Sequence, residues 1–179
     1  MQDIRHEAAD LQALQTPTLL GLQVTTKVKI YLFGIALFFI PFVLSGPQLL
    51  VWSIVNFLLI RVAVSLPLAY ARPLVLVSSF ATLSRGIMFG PFTPLMIYMI
   101  PAIRVGNFLL VLIVKSISKN WLGIITWGAI KALFLFSIAF ILFQSAILPK
   151  IFLTAMGVFQ FATVIMWGVA FLLLRKKLD

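Results

Sequence analysis

The sequence predicts an all-α integral membrane protein, a compact bundle of six transmembrane helices with both termini on the cytoplasmic side. Three observations predict it. The chain is 63% hydrophobic with a mean hydropathy of +1.16, and its apolar runs approach the ~20 residues that cross a bilayer. All four acids, Asp3, Glu7, Asp10 and Asp179, lie at the chain ends, so positions 30 to 174 hold eight cations and no anion. Breaks rich in Gly, Pro or charge divide the apolar sequence into pieces of spanning length. A chain of 179 residues has room for roughly six such spans and no separate soluble domain.

Residues 1–26 read as a polar cytoplasmic tail, with no basic leader, short apolar core and small-residue cleavage site, so no cleavable signal is expected. Within it Asp3 suits the N-cap of a short amphipathic helix that places Ile4, Ala8, Leu11 and Leu14 on one face, and Pro17 stops it. The transmembrane domain takes residues 27–179. Its first span runs from about Val28 to Ser45 and ends at the turn Ser45-Gly46-Pro47. The second runs from about Gln48 to Leu66 with Arg61 near its far end, and Pro67, Arg72 and Pro73 mark the connection that follows. A third span begins near Leu74, and Arg85, Gly86, Gly90, Pro91 and Pro94 interrupt it. The fourth reaches from about Pro101 to Ser118, and the fifth from Trp121 to Phe143 with Lys131 near its middle. The sixth, from Ile151 to Leu174, closes in Arg175-Lys176-Lys177.

Charge orients this arrangement. Loops on the cytoplasmic side collect Lys and Arg. A cytoplasmic N-terminus puts Lys27, Lys29, Arg72, Lys115, Lys119 and the three closing cations inside, against Lys150 as the one clear outside cation. The net charge of +10 is in large part this topology signal, and it carries no implication of nucleic-acid binding. The expected location is a cell membrane crossed many times, of the prokaryotic inner-membrane kind.

Residue types exclude much chemistry. Cysteine is absent and the single histidine, His6, lies in the tail. The spans thus lack the His, Asp, Glu and Cys that supply metal ligands and neutral-pH proton transfer, and a serine nucleophile has no histidine base. No Walker-type phosphate loop is present. The expectation is a non-enzyme, without metal or cofactor, that draws any energy from a partner.

What remains is a set of intramembrane cations, each costing about 2.5–3.5 kcal/mol at a helix centre by insertion scales unless it faces a cavity or partner. Lys131 is the deepest. Arg104 precedes Lys119 by 15 residues, which places it ~22 Å from the inner edge of a helix, in the outer half of the bilayer, where snorkelling to the outer interface is the other reading of its charge, as it is over a longer distance for Lys131. Helical spacing groups Arg104 with Asn107, Trp127 with Lys131, and Gln160 with Thr163 and Trp167. Converging, these faces would form a polar pocket with aromatic walls for a small, negatively charged ligand. Interhelical hydrogen bonding by Asn, Gln and Thr with Trp as packing is the other reading of the same residues. Residues 84 to 100 read as an outer, re-entrant or lid-like connection between spans three and four, with Arg85 as a further candidate contact, or as a kinked span in which Arg85 faces protein.

The chain resembles the substrate-binding S component of energy-coupling-factor (ECF) transporters in length, six-span count and short loops, over residues 28 to 174. The stretches SRGIMFGPFTP and MIPAIRVGN are similar to the third-to-fourth helix region of S-component-like bacterial membrane proteins. The resemblance implies a high-affinity receptor for a vitamin or similar solute, held near the outer face between helices four to six and their loops. It also implies a transmembrane coupling subunit and a cytoplasmic ATPase pair as partners. Many S components dock through Ala-x-x-x-Ala on the first helix, whereas span one here offers Gly34 and Ala36, and the spacing occurs only in the tail at Ala9 and Ala13. Nickel and cobalt members carry a histidine-rich N-terminus, absent here, so the implied ligand is a small organic anion. The alternative expectation is a non-catalytic scaffold or assembly factor for a larger membrane complex.

Overall fold

The computed structural model describes residues 26–44, 48–84, 90–117 and 120–175. The expected tail helix, Arg85 and Lys119 lie outside the described residues. Those described are helical, with no strand among them. Helix α1 is Thr26–Val43, α2 is Gln48–Ser65 and α3 is Leu68–Ser84. A 3-10 segment, Gly90–Tyr98, leads into α4, Ile100–Ser116, and α5 is Trp121–Gln144. The last helix, α6, opens with Ile151–Thr154, loosens into a π turn at Ala155–Phe159 and resumes as Gln160–Arg175, its joints at Thr154, Ala155 and Gln160 all keeping right-handed helical backbone.

Local chemistry sets most of the ends. Asn120 takes extended backbone and its side chain accepts a hydrogen bond from the Gly123 N–H at 2.8 Å, satisfying an otherwise orphaned donor at the start of α5. Pro101 sits in the first turn of α4, where its missing N–H costs nothing. After α5 the chain turns through Ala146, whose φ of 56° is the left-handed conformation that ends helices. The segment between α3 and α4 is partly ordered as 3-10 helix, a form that accommodates Pro94 inside it. The connection expected at Arg72 and Pro73 lies inside a helix instead, since α3 starts at Leu68 and carries Pro73 in its body. Pro41 is likewise inside α1.

Two of the six helices, α5 and the 24-residue run Ile151–Leu174 of α6, are long and apolar enough to cross a membrane, with mean hydropathies of 2.1 and 2.0. The four others are 17 or 18 residues long, and at ~1.5 Å per residue they fall slightly short of a ~30 Å hydrocarbon core. The even spanning length expected of all six is therefore met by the last two.

Helices α2, α4, α5 and α6 form a closed ring, each packed against two neighbours in the order α2, α4, α5, α6 and back to α2. Helices α1 and α3 pack on each other and flank the ring on its α2 and α4 side. Glycines permit close approach where α5 meets its neighbours. A Cβ on Gly168 would lie 2.5 Å from Ile124 Cγ2, and one on Gly157 2.9 Å from Phe136 Cδ2. The outer surface is apolar: Leu122 is 74% exposed and Leu133 65%, whereas a helix in water turns charged or polar residues outward.

The interior divides into two apolar clusters. One gathers Leu59, Ile60, Leu110, Val111, Ile124, Trp127 and Val164, the other Trp52, Met96, Met99, Leu135, Phe152 and Met156. On each ring helix a polar residue stands between them: Asn56 between Trp52 and Leu59, Asn107 between Ala102 and Leu110, and Lys131 between Trp127 and Leu135. On α6, Gln160 and Thr163 lie between Met156 and Val164. A polar layer thus crosses the middle of an otherwise apolar ring.

Candidate functional site

Lys131 is the centre of that layer. On α5 the buried positions Gly123, Ile124, Trp127, Gly128, Lys131, Ala132, Leu135 and Ala139 follow the three-to-four spacing of one helix face. The side chain that carries the charge therefore points inward, and Lys131 is 2% exposed. Its Nζ donates to Asn56 Oδ1 at 2.5 Å and to Asn107 Oδ1 at 2.8 Å. Asn56 Nδ2 donates in turn to Thr163 Oγ1 at 2.8 Å and reaches Gln160 Oε1 at 3.5 Å. The Thr163 hydroxyl donates to the Gln160 backbone carbonyl at 3.1 Å, a bond made within α6 just past its π turn.

The electrostatics are one-sided. No acidic side chain occurs among the described residues, so the ammonium is held by amide dipoles alone. Charged groups removed from water are normally paired or coordinated, because their desolvation costs several kcal/mol. Two amide oxygens at hydrogen-bond distance repay part of this; a full counter-charge would repay more.

Beside the layer lies a cavity of about 30 Å³, lined by the polar residues Asn56, Ser78, Asn107, Lys131 and Gln160 and by the apolar residues Val51, Trp52, Val55, Met96, Ile103 and Met156. By the measure of ~10–15 Å³ per enclosed water, it has room for about two water molecules. Four of its apolar lining residues, Trp52, Met96, Ile103 and Met156, belong to or border one cluster, Val55 borders the other, and the 3-10 segment contributes Met96.

The structure brings together four of the residues that spacing singled out. Asn107, Lys131 and Gln160 line the cavity, and Thr163 joins the same hydrogen-bond network. Trp127 is fully buried in the apolar cluster on the far side of the layer from the cavity, and its indole Nε1 has no acceptor among the described residues. Trp167 packs its ring against Phe57, centroids 4.7 Å apart, and does not line the cavity. Arg104 is half-buried and also stands off the cavity wall. Arg85 lies outside the described residues.

Sequence reasoning missed Asn56, the residue that ties the network together, as well as Ser78 and Trp52. The signal was present: Asn56 is the amide in the apolar run from Leu49 to Ser65, and an isolated amide in an apolar helix usually finds a partner on another helix. No group of three or more His, Cys, Asp or Glu side chains that could hold a metal ion occurs among the described residues. The fold and site together define a class: an all-α bundle with an apolar exterior and a buried, cation-centred polar layer. Comparison with protein-family models, curated proteins and solved structures finds no match to this chain.

Proposed function

We propose that this chain is a membrane-embedded capture protein for a small, negatively charged solute, received at the polar layer from the side of the 3-10 segment. One observation carries the reading: Lys131 is a buried cation with two neutral partners, no carboxylate among the described residues, and a cavity beside it. An intramembrane ionisable residue facing the bundle interior marks a solute or ion pathway more often than a packing role. The apolar exterior and the cations gathered near helix ends favour six crossings with both termini inside, although α1 to α4 are the shorter helices. Short spans are accommodated by local thinning of the bilayer and by snorkelling of flanking side chains.

Within this reading the chain acts as an S component: it binds solute and passes it inward with a coupling subunit and an ATPase pair. Small-molecule pockets generally measure ~300 Å³ or more, so a vitamin-sized ligand requires the 3-10 segment to carry Met96 away from the polar layer before it enters. Such a segment is suited to this, because 3-10 hydrogen bonds have poorer geometry than α-helical ones and long 3-10 runs are uncommon.

The tightness of the cavity favours a second reading, in which the layer fixes helix register in a scaffold protein. Buried polar groups have that role in some helical assemblies. A ligand screen on the purified protein separates the two. Under the capture reading, anionic solutes raise the melting temperature saturably, as any ligand specific to the folded state must. A flat response across charged and neutral solutes supports the scaffold. Because the chain has no cysteine, single cysteines introduced at Lys150 and at Lys119 report topology by impermeant labelling, with Lys150 reacting from outside and Lys119 only after permeabilisation.

A further inference from the structure

The hydrogen-bond network restricts what the cavity accepts. Lys131 has three N–H donors and no acceptor, so both asparagines must turn their carbonyl oxygens toward it. The amide orientation, normally ambiguous, is thereby assigned by chemistry. Asn56 then has only its NH₂ left, and that group is taken up by Thr163 Oγ1 and Gln160 Oε1. Gln160 in turn has its carbonyl engaged and its NH₂ left over, and so does Asn107.

The unused hydrogens on the wall belong to three side chains. Lys131 keeps one ammonium hydrogen, and neither Asn107 Nδ2 nor Gln160 Nε2 has an acceptor among the described residues. All three side chains line the same cavity, whose wall also includes Trp52, Met96, Ile103 and Met156. A donor-lined wall around a single buried cation is an anion receptor.

We propose that the cavity is a binding site for a small monovalent anion of no more than about three heavy atoms, of the size of formate, nitrite or chloride. This deepens the capture reading and rests on it. Size follows from the room for about two waters. Charge follows from Lys131 being the sole cation on the wall among the described residues: a divalent anion would leave an uncompensated negative charge inside an apolar ring. The anion takes the third hydrogen of Lys131 and the amide hydrogens of Asn107 and Gln160, with Trp52, Met96, Ile103 and Met156 in the apolar part of the wall.

The test is titration of the full chain in detergent with sodium formate, nitrite and chloride, read by melting temperature and calorimetry, with gluconate holding ionic strength constant. Sulfate and an aromatic monocarboxylate such as benzoate are the size and charge controls. The expected result is saturable binding of the small monoanions, weaker by at least tenfold for sulfate and benzoate. Gln160→Met, which removes one donor and keeps side-chain length, lowers affinity at least threefold. Asn107→Asp supplies a resident carboxylate to Lys131, so it abolishes anion binding while retaining a cooperative melt at or above the wild-type temperature. If benzoate or larger anions bind and formate, nitrite and chloride do not, the assignment falls while the capture reading stands. If no anion binds, both fall. Small-anion binding unchanged in Gln160→Met and Asn107→Asp places the ion elsewhere and overturns the site.

Discussion

Lys131 Nζ on α5 and Asn107 Oδ1 on α4 stand 2.8 Å apart in the buried middle of the ring, and the ion there is met by an amide where a carboxylate would be expected. This relationship makes the two partners unequal. Removing the cation leaves neutral groups behind, whereas removing an amide leaves a charge with fewer acceptors.

The first prediction follows from that asymmetry. Lys131→Met retains an unbranched chain of similar length and leaves two amide oxygens unpaired, for a cost of about 1–3 kcal/mol. Asn56→Leu strips an acceptor from the ammonium and a donor from Thr163 and Gln160 together, and is expected to cost more, about 3–5 kcal/mol. Chemical unfolding in detergent checks the order, and the double variant should be less destabilised than the two single effects added, because the groups share one network.

A second prediction concerns the contact between α5 and α6. A Cβ at Gly168 meets fully buried Ile124 at 2.5 Å, so Gly168→Ala forces the helices apart and costs about 1–3 kcal/mol. Gly34→Ala is the control. Its nearest neighbour would be Leu74 Cδ2 at 3.5 Å, an ordinary contact, and the helical substitution is expected to be neutral or to stabilise by about 0.4–1 kcal/mol. In an Ile124→Ala background, which removes the Cγ2 and Cγ1 atoms that the new Cβ meets, Gly168→Ala should cost less than it does in the wild type.

The start of α5 offers a third. Asn120 Oδ1 accepts from Gly123 N–H, and Asn120→Ala is expected to cost about 0.5–2 kcal/mol, with Asn120→Ser or Asn120→Asp recovering most of it. Amide exchange should quicken in the first turn of α5 and leave its centre at Lys131 unchanged.

A fourth concerns an inter-helix brace. Lys115 Nζ donates at 2.6 Å to the backbone carbonyl of Leu66, just past the end of α2, where unsatisfied carbonyls concentrate negative partial charge. Lys115→Met should lower stability by about 1 kcal/mol, and Lys115→Arg should retain most of it. A drop in melting temperature with no change in anion affinity is the expected pattern, since Lys115 is not part of the cavity wall.

Several features were legible in the sequence because they depend on short-range chemistry. The sixth helix was read from Ile151 onward, and the fifth from Trp121, where Asn120 and the apolar run coincide. Lys131, Asn107, Gln160 and Thr163 stood out because polar groups in apolar helices seek one another. The start of α3 was displaced because Arg72 and Pro73 read as a break, although helix packing against α1 carries the chain through them. Trp127 was grouped with Lys131 by its four-residue spacing, which places both on one face but says nothing of depth along the axis. In the structure one lies among the apolar residues on one side of the layer, and the other beside the cavity.

By itself the sequence determined that the interior is apolar, that it is built from helices, and that its cations have no carboxylate between positions 30 and 174. Those properties belong to composition and to spacing along one chain. Only the tertiary structure decided that Asn56, 75 residues from Lys131 in sequence, supplies an acceptor, and that the donors left over face one small cavity. The reason is physical: helix periodicity sets which residues share a face, but the rotation and depth at which four helices meet depend on how their side chains and glycines pack.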